Sequence, residues 1–84
     1  MKIKVTQEYI DAGVQGDCNT CPIAIALKES TGELWSAGIT FCCPCKRPSF
    51  RFATTVEMVR FMRQFDAGLI VKPTEFDVSI EEPA

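Results

Sequence analysis

Five cysteines and no histidine in a chain of 84 residues constrain this fold more than any other feature. Four of the five fall into two short runs, Cys18-Asn19-Thr20-Cys21 and Cys42-Cys43-Pro44-Cys45, with Cys43 left over. Two chelating turns about twenty residues apart match the spacing with which four thiolates close a tetrahedron around one zinc ion. A chain this short buries only about 60–65% of its unfolded surface. A structural zinc on Cys18, Cys21, Cys42 and Cys45 would therefore staple a marginal core. Lys46 and Arg47 follow the second run, where they offset the negative charge of a four-thiolate unit. The same thiols admit three other roles. They fit small apolar side chains at a buried helix start and strand end. They fit a disulfide formed in air, within the first pair or between the two runs. Cys-x-x-Cys-Pro at a helix N-terminus also resembles a redox motif, because the helix dipole lowers a thiol pKa. No buried strand leads into it, however, and the chain is short for the folds that use it.

Residues 1–84 are expected to form one domain, with 46% apolar and 24% charged residues. No run approaches the roughly eighteen consecutive apolar residues that span a bilayer. The opening MKIKVTQEYID has no apolar region before a cleavage site, so a cytoplasmic protein with reduced thiols is expected, and the odd cysteine count agrees. Ile3 and Val5 alternate with lysines as a short first strand. Thr6 is placed to cap a helical turn over residues 7–11, which Gly13 ends. Pro22 suits the first position of a nearly all-apolar helix that stops at Thr31 and Gly32. Residues 33–41 and 49–53 read as a hairpin with Gly38 at a bend, and the two prolines of CCPCKRP place that segment in the connecting turn. Thr55 caps a further helix with Met58, Phe61, Met62 and Phe65 on its inner stripe, stopping near Gly68. Phe76, Val78 and Ile80 alternate with polar residues as a last strand. The fold class is α+β: one small antiparallel sheet of about four strands, with two to three short helices on one face.

The charges are unevenly distributed, although the net is only −2. Glu8, Asp11, Asp17, Glu29 and Glu33 precede a cluster of Lys46, Arg47, Arg51, Arg60 and Arg63, and the tail carries Glu75, Asp77, Glu81 and Glu82. Such charges are commonly solvated faces. A mildly acidic protein is poorly suited to direct nucleic-acid binding, which needs a phosphate-neutralising surface. A sharper expectation is an acidic face, built from Glu75, Asp77, Glu81, Glu82, Glu8 and Asp11, that docks on a basic partner. Catalysis is not expected: without histidine there is no paired acid and base at telling spacing, no phosphate loop and no nucleophile elbow. A zinc-knuckle adaptor contacting nucleic acid or protein through the basic 46–63 region is the alternative of a different class.

VTQEYIDAGVQGDC, CPIAIAL, RFMRQFDAG and VKPTEFDVSI occur in this order along the chain. Together they resemble a loose group of small phage and prophage proteins over about half of the sequence. Cys18 and Cys21 match the usual pair of that group, whereas the Cys42–Cys45 run is particular to this chain. The resemblance implies a phage accessory protein of the host bacterial cytoplasm that acts by binding; its oligomeric state is open in the sequence, a monomer being the favoured expectation. An anti-CRISPR type of inhibitor, whose acidic surface blocks the nucleic-acid site of a host defence nucleoprotein complex, is the expectation that follows.

Overall fold

The structure, a computed structural model, describes residues 2–79. Eight elements follow in the order β1 (Lys2–Val5), α1 (Gln7–Ala12), α2 (Pro22–Thr31), β2 (Trp35–Ala37), β3 (Phe41–Pro44), β4 (Phe52–Ala53), α3 (Val56–Asp66) and β5 (Thr74–Asp77). The class is α+β, but the strands form two antiparallel sheets rather than one: β1 with β5, and β2-β3-β4. The helix signals read from the sequence act as local physics requires. Thr6 and Thr55 each accept a backbone N–H of the first helical turn, from Tyr9 and Met58. Pro22 stands at the start of α2, and Gly32 ends it with a left-handed backbone at φ 79°.

α2 is the hub, packing against β1, α1 and β2. Its Ile23, Ala24, Ala26 and Leu27 are buried together with Ile3 and Val5 of β1. From the other side come Trp35 and Phe52, whose rings meet at 5.7 Å, and the α3 stripe of Met58, Phe61, Met62 and Phe65. Phe61 meets Phe76 of β5 edge to face at 5.8 Å. The one polar atom of the Trp35 ring is satisfied within the fold: Nε1–H donates to Thr31 Oγ1 at 2.8 Å, and Thr31 donates in turn to the Leu27 carbonyl.

The CCPC segment is not the hairpin turn that its prolines imply. Cys42, Cys43 and Pro44 lie within β3, and the β2–β3 turn falls at residues 38–40, closed by Gly38 N–H to the Phe41 carbonyl at 3.1 Å. Pro44 is tolerated because of its register. It faces Trp35, while the ladder bonds form at the flanking pairs, with Cys45 N–H reaching the Leu34 carbonyl at 2.9 Å. In an antiparallel pair such bonds alternate, so the position of Pro44 needs no N–H. The same register sets Trp35, Ala37, Cys42, Pro44 and Phe52 on the buried face, and Ser36, Phe41, Cys43 and Ala53 on the outer face.

Gly13 ends α1 by a route that the sequence does not reveal. Its φ is −68°, open to any residue, but a Cβ there would stand 2.7 Å from Pro22 Cδ and 3.0 Å from Phe65 Cζ. Neither the proline ring nor the buried Phe65 yields easily. Gly13→Ala should therefore lower the unfolding free energy by roughly 1–3 kcal/mol through overpacking. Urea titration measures this, and an unchanged midpoint would show that α1 and α2 are not held at this spacing.

Candidate functional site

The structure divides the four cysteines proposed as zinc ligands between two environments. Cys21 and Cys42 are buried; Cys18 and Cys45 are exposed, and Cys43 is half-buried. Cys21 is the N-cap of α2, its Sγ accepting the Ala24 N–H at 3.4 Å. Cys42 points into the core beside Phe52 and Trp35, its Sγ 3.5 Å from Thr54 Oγ1 and 3.9 Å from the Gly38 carbonyl. Desolvation raises both thiol pKa values, that of Cys42 to about 11, despite opposing hydrogen bonds. Among the described residues, no three Cys, Asp or Glu side chains come together in a group placed to hold a metal ion. Strand parity divides the second pair: with Cys42–Pro44 extended, Cys42 faces inward, and Cys45, three residues on, is exposed.

Three thiols instead share the outer side of the β2-β3-β4 sheet. Residues 18 and 19 run along the open edge of β2, fixed by the Ala37 N–H donating to the Cys18 carbonyl at 2.8 Å. The Ser36 hydroxyl donates to Cys18 Sγ at 3.4 Å, and Cys43 lies directly across the ladder from Ser36. Asn19 Nδ2 donates to Cys45 Sγ at 3.3 Å and lies 3.5 Å from the Trp35 carbonyl. Asn19 and Ser36 thus fasten the first cysteine run to the second sheet, a role with no sequence motif behind it. Arg51 stacks over Phe41 on this face at 4.2 Å, and Arg47 stacks over Phe50 at 4.4 Å while pairing with Glu33.

In the β1-β5 sheet the carboxylates of β5 lie opposite lysines. Register sets Lys4 opposite Glu75 and Lys2 opposite Asp77, and Lys2 Nζ lies 3.5 Å from Glu75 Oε1. Each of these β5 carboxylates therefore faces a lysine across the sheet. Glu8 and Asp11 are exposed on α1, where Asp11 accepts from the Gln7 side chain at 2.9 Å. Glu81 and Glu82 lie outside the described residues. Arg60 and Arg63 are exposed on α3, and Arg60 lines a groove with Lys72 and Ile70 to which neither Lys46 nor Arg47 belongs.

A different acidic site appears at the C-terminal end of α3. Asp66 Oδ1 accepts the Gly16 N–H at 2.9 Å, across fifty residues of sequence, and so holds loop 13–17 against the helix. Asp17 and Asp66 line a cleft of about 180 Å³ with Cys18, Cys21, Ile39 and Met62. Ile39 is 62% exposed; Val14 and Leu69, which flank the Gly16–Asp66 contact in sequence, are 51% and 59% exposed. The cleft thus sets one large exposed apolar side chain, Ile39, beside two carboxylates. Sequence order concealed it, since Gly16 and Asp66 meet only in the fold.

No protein-family model, curated protein or solved structure matches this chain.

The divided thiols have a measurable consequence. Cys18 and Cys45 should react with a thiol reagent in the native protein, and Cys21 and Cys42 only on unfolding. Folded Cys42 keeps its proton up to about pH 11, whereas its ordinary value is 9.0. Its contribution to stability is thus complete below pH 9 and is lost as pH rises towards 11. Urea midpoints across that window should fall more steeply for the wild type than for Cys42→Ala; parallel slopes would place Cys42 outside the core.

Proposed function

We propose that this chain is a small phage-type accessory protein that acts by stoichiometric binding, as an inhibitor of a host defence nucleoprotein complex of the anti-CRISPR type. One observation supports this above the others: exposed Ile39 lines a cleft with Asp17 and Asp66, and Val14 and Leu69, within three residues of Gly16 and Asp66 in sequence, are exposed as well. Apolar anchors rimmed by carboxylates suit a partner whose surface is basic and whose contact region is partly apolar. A channel that normally holds nucleic acid supplies such a surface. Glu8 and Asp11 belong to the helix leading into the same loop and extend its negative charge. Glu75 and Asp77 contribute less, because Lys2 and Lys4 oppose them across the sheet. The sequence resemblance to small phage proteins points the same way. No helix among the described residues is long and apolar enough to cross a membrane.

The zinc-knuckle adaptor draws less support. Arg47 is engaged with Glu33 and Phe50, Arg51 lies over Phe41, and Arg60 belongs to the groove with Lys72.

The test uses purified RNA-guided effector complexes and their target DNA. The chain at equimolar concentration should abolish DNA binding by a susceptible effector. The double variant Ile39→Ser/Leu69→Ser should weaken inhibition by at least about tenfold, a loss of about 1.4 kcal/mol. Glu75→Lys/Asp77→Lys should inhibit nearly as well as the wild type. An equally potent Ile39→Ser/Leu69→Ser variant would remove this surface from the mechanism, and inactivity against every effector would remove the inhibitor reading itself.

A further inference from the structure

The first cysteine run sets one thiol in water and one inside the protein. Cys21, the N-cap of α2, is buried, with Pro22 directly after it; Cys18, three residues earlier, is exposed. Both line the cleft of about 180 Å³ that also takes in Asp66, Met62 and Ile39, so one opening reaches both. The chain turns between them, with the Thr20 N–H donating to the Asp17 carbonyl at 3.3 Å. Burial above all raises the Cys21 thiol pKa, against hydrogen bonds from Ala24 and Ile23. The negative charges of Asp66 and Cys18, close to its sulfur, add to the rise.

The remaining thiols cannot take the place of Cys21. Cys42 lies in the core. Cys43 and Cys45 stand on the β3 side of β2, where the Cys45 N–H bonds to the Leu34 carbonyl at 2.9 Å. Cys18 is fastened to the other side of β2, its carbonyl accepting the Ala37 N–H at 2.8 Å. Strands about 4.8 Å apart place such flanking residues roughly 9–10 Å from each other, beyond the ~7 Å between Cα atoms that a disulfide spans. In the dithiol each sulfur of the first run has its own hydrogen bond: Ser36 O–H donates to Cys18 Sγ and Ala24 N–H to Cys21 Sγ, both at 3.4 Å. A bond between the two sulfurs draws Cys18 away from Ser36.

We propose that Cys18 and Cys21 are a redox-active dithiol that exchanges, in this cleft, with the disulfide of a low-molecular-weight thiol, glutathione disulfide. The Cys18 thiolate attacks one glutathione sulfur. The glutathione S–S bond breaks, a Cys18–glutathione bond forms, and one glutathione leaves as a thiolate and takes up the proton that Cys18 released. Cys21 then gives its proton to solvent and attacks the Cys18 sulfur. The Cys18–glutathione bond breaks, the Cys18–Cys21 bond forms, and the second glutathione leaves and is protonated. Two protein thiols are oxidised and one glutathione disulfide is reduced to two thiols; excess reduced glutathione runs the sequence backwards. Burial keeps Cys21 from external reagents but not from a mixed disulfide formed on Cys18 in the same cleft. The exchange needs no partner protein and stands apart from the inhibitor reading.

The test treats the reduced full chain with glutathione disulfide, then maps its cysteines by alkylation and mass spectrometry. The wild type should gain a Cys18–Cys21 bond and recover both thiols in excess reduced glutathione. Cys21→Ser, which keeps an N-cap oxygen, should stop at one glutathione on Cys18. Loss of that adduct should be at least about tenfold slower than in the wild type, where the second thiol is intramolecular. Cys18→Ser should leave Cys21 reduced, and Cys45→Ser should leave the exchange unchanged. In the isotopically labelled wild type, oxidation should shift the Ala24 and Ser36 amide resonances and leave those of β1 and β5 in place. Three outcomes would overturn the inference: a glutathione adduct on wild-type Cys18 as lasting as that of Cys21→Ser, a disulfide that maps to any other pair, or oxidation of Cys21 in Cys18→Ser.

Discussion

Burial of the first two turns of α2 is the constraint on which the remaining elements depend. Ile23, Ala24, Ala26 and Leu27 leave almost no side of those turns free for water, so neighbours must cover the helix from several directions. β1 covers one side, α1 another and β2 a third. Each large side chain placed there contributes roughly 1.5–3 kcal/mol relative to exposure. In a domain of this size the loss of any one is felt. The start of the helix is secured by Cys21, whose sulfur caps the Ala24 N–H, and its end by Thr31, which accepts the Trp35 indole N–H. These two bonds tie the loop before α2 and the sheet after it to the same buried segment. The division of the cysteines follows: Cys21 is inside because the helix start is inside.

Signals in the sequence are legible where the determining physics is local. Thr6, Thr55, Pro22 and Gly32 act on groups within a few residues of themselves, and each does in the structure what its chemistry requires. Pro44 shows where such reading stops. A proline excludes a ladder N–H, but whether one is needed depends on which pairs of β2 and β3 exchange bonds, a property of register that neither strand carries alone. As a turn signal, Pro44 implies a bend several residues further along and a common loop for Cys42 and Cys45. Once the strand is extended, Cys42 turns inward and Cys43 outward, and even spacing along the chain no longer means convergence in space. One sheet became two for a related reason. Alternation in residues 2–5 and 74–77 reveals strands, but nothing in either segment specifies that they pair only with each other.

Charge shows the same limit more sharply. Glu75 and Asp77 look like part of an acidic tail until the register sets Lys4 and Lys2 opposite them. A pair so exposed contributes little to stability, about 0–1 kcal/mol, yet it changes what an approaching partner meets. Conversely, Asp66 lies in a helix whose neighbouring charges are arginines, and nothing in sequence marks it as the residue that holds loop 13–17. Among the described residues, folding thus sets lysines against the carboxylates of β5 and brings Asp17 and Asp66 together at the end of α3.

The two ends of α3 are unlike. At its C-terminal end the Gly16–Asp66 bond draws a loop over the helix, and exposed Ile39 lines the cleft beside Asp66. At its N-terminal end a hollow lies between Glu57 and β5. Both features accompany one arrangement: α3 turns its stripe of Met58, Phe61, Met62 and Phe65 into the core that it shares with α2. Among the described residues, hollows therefore remain on either flank of α3.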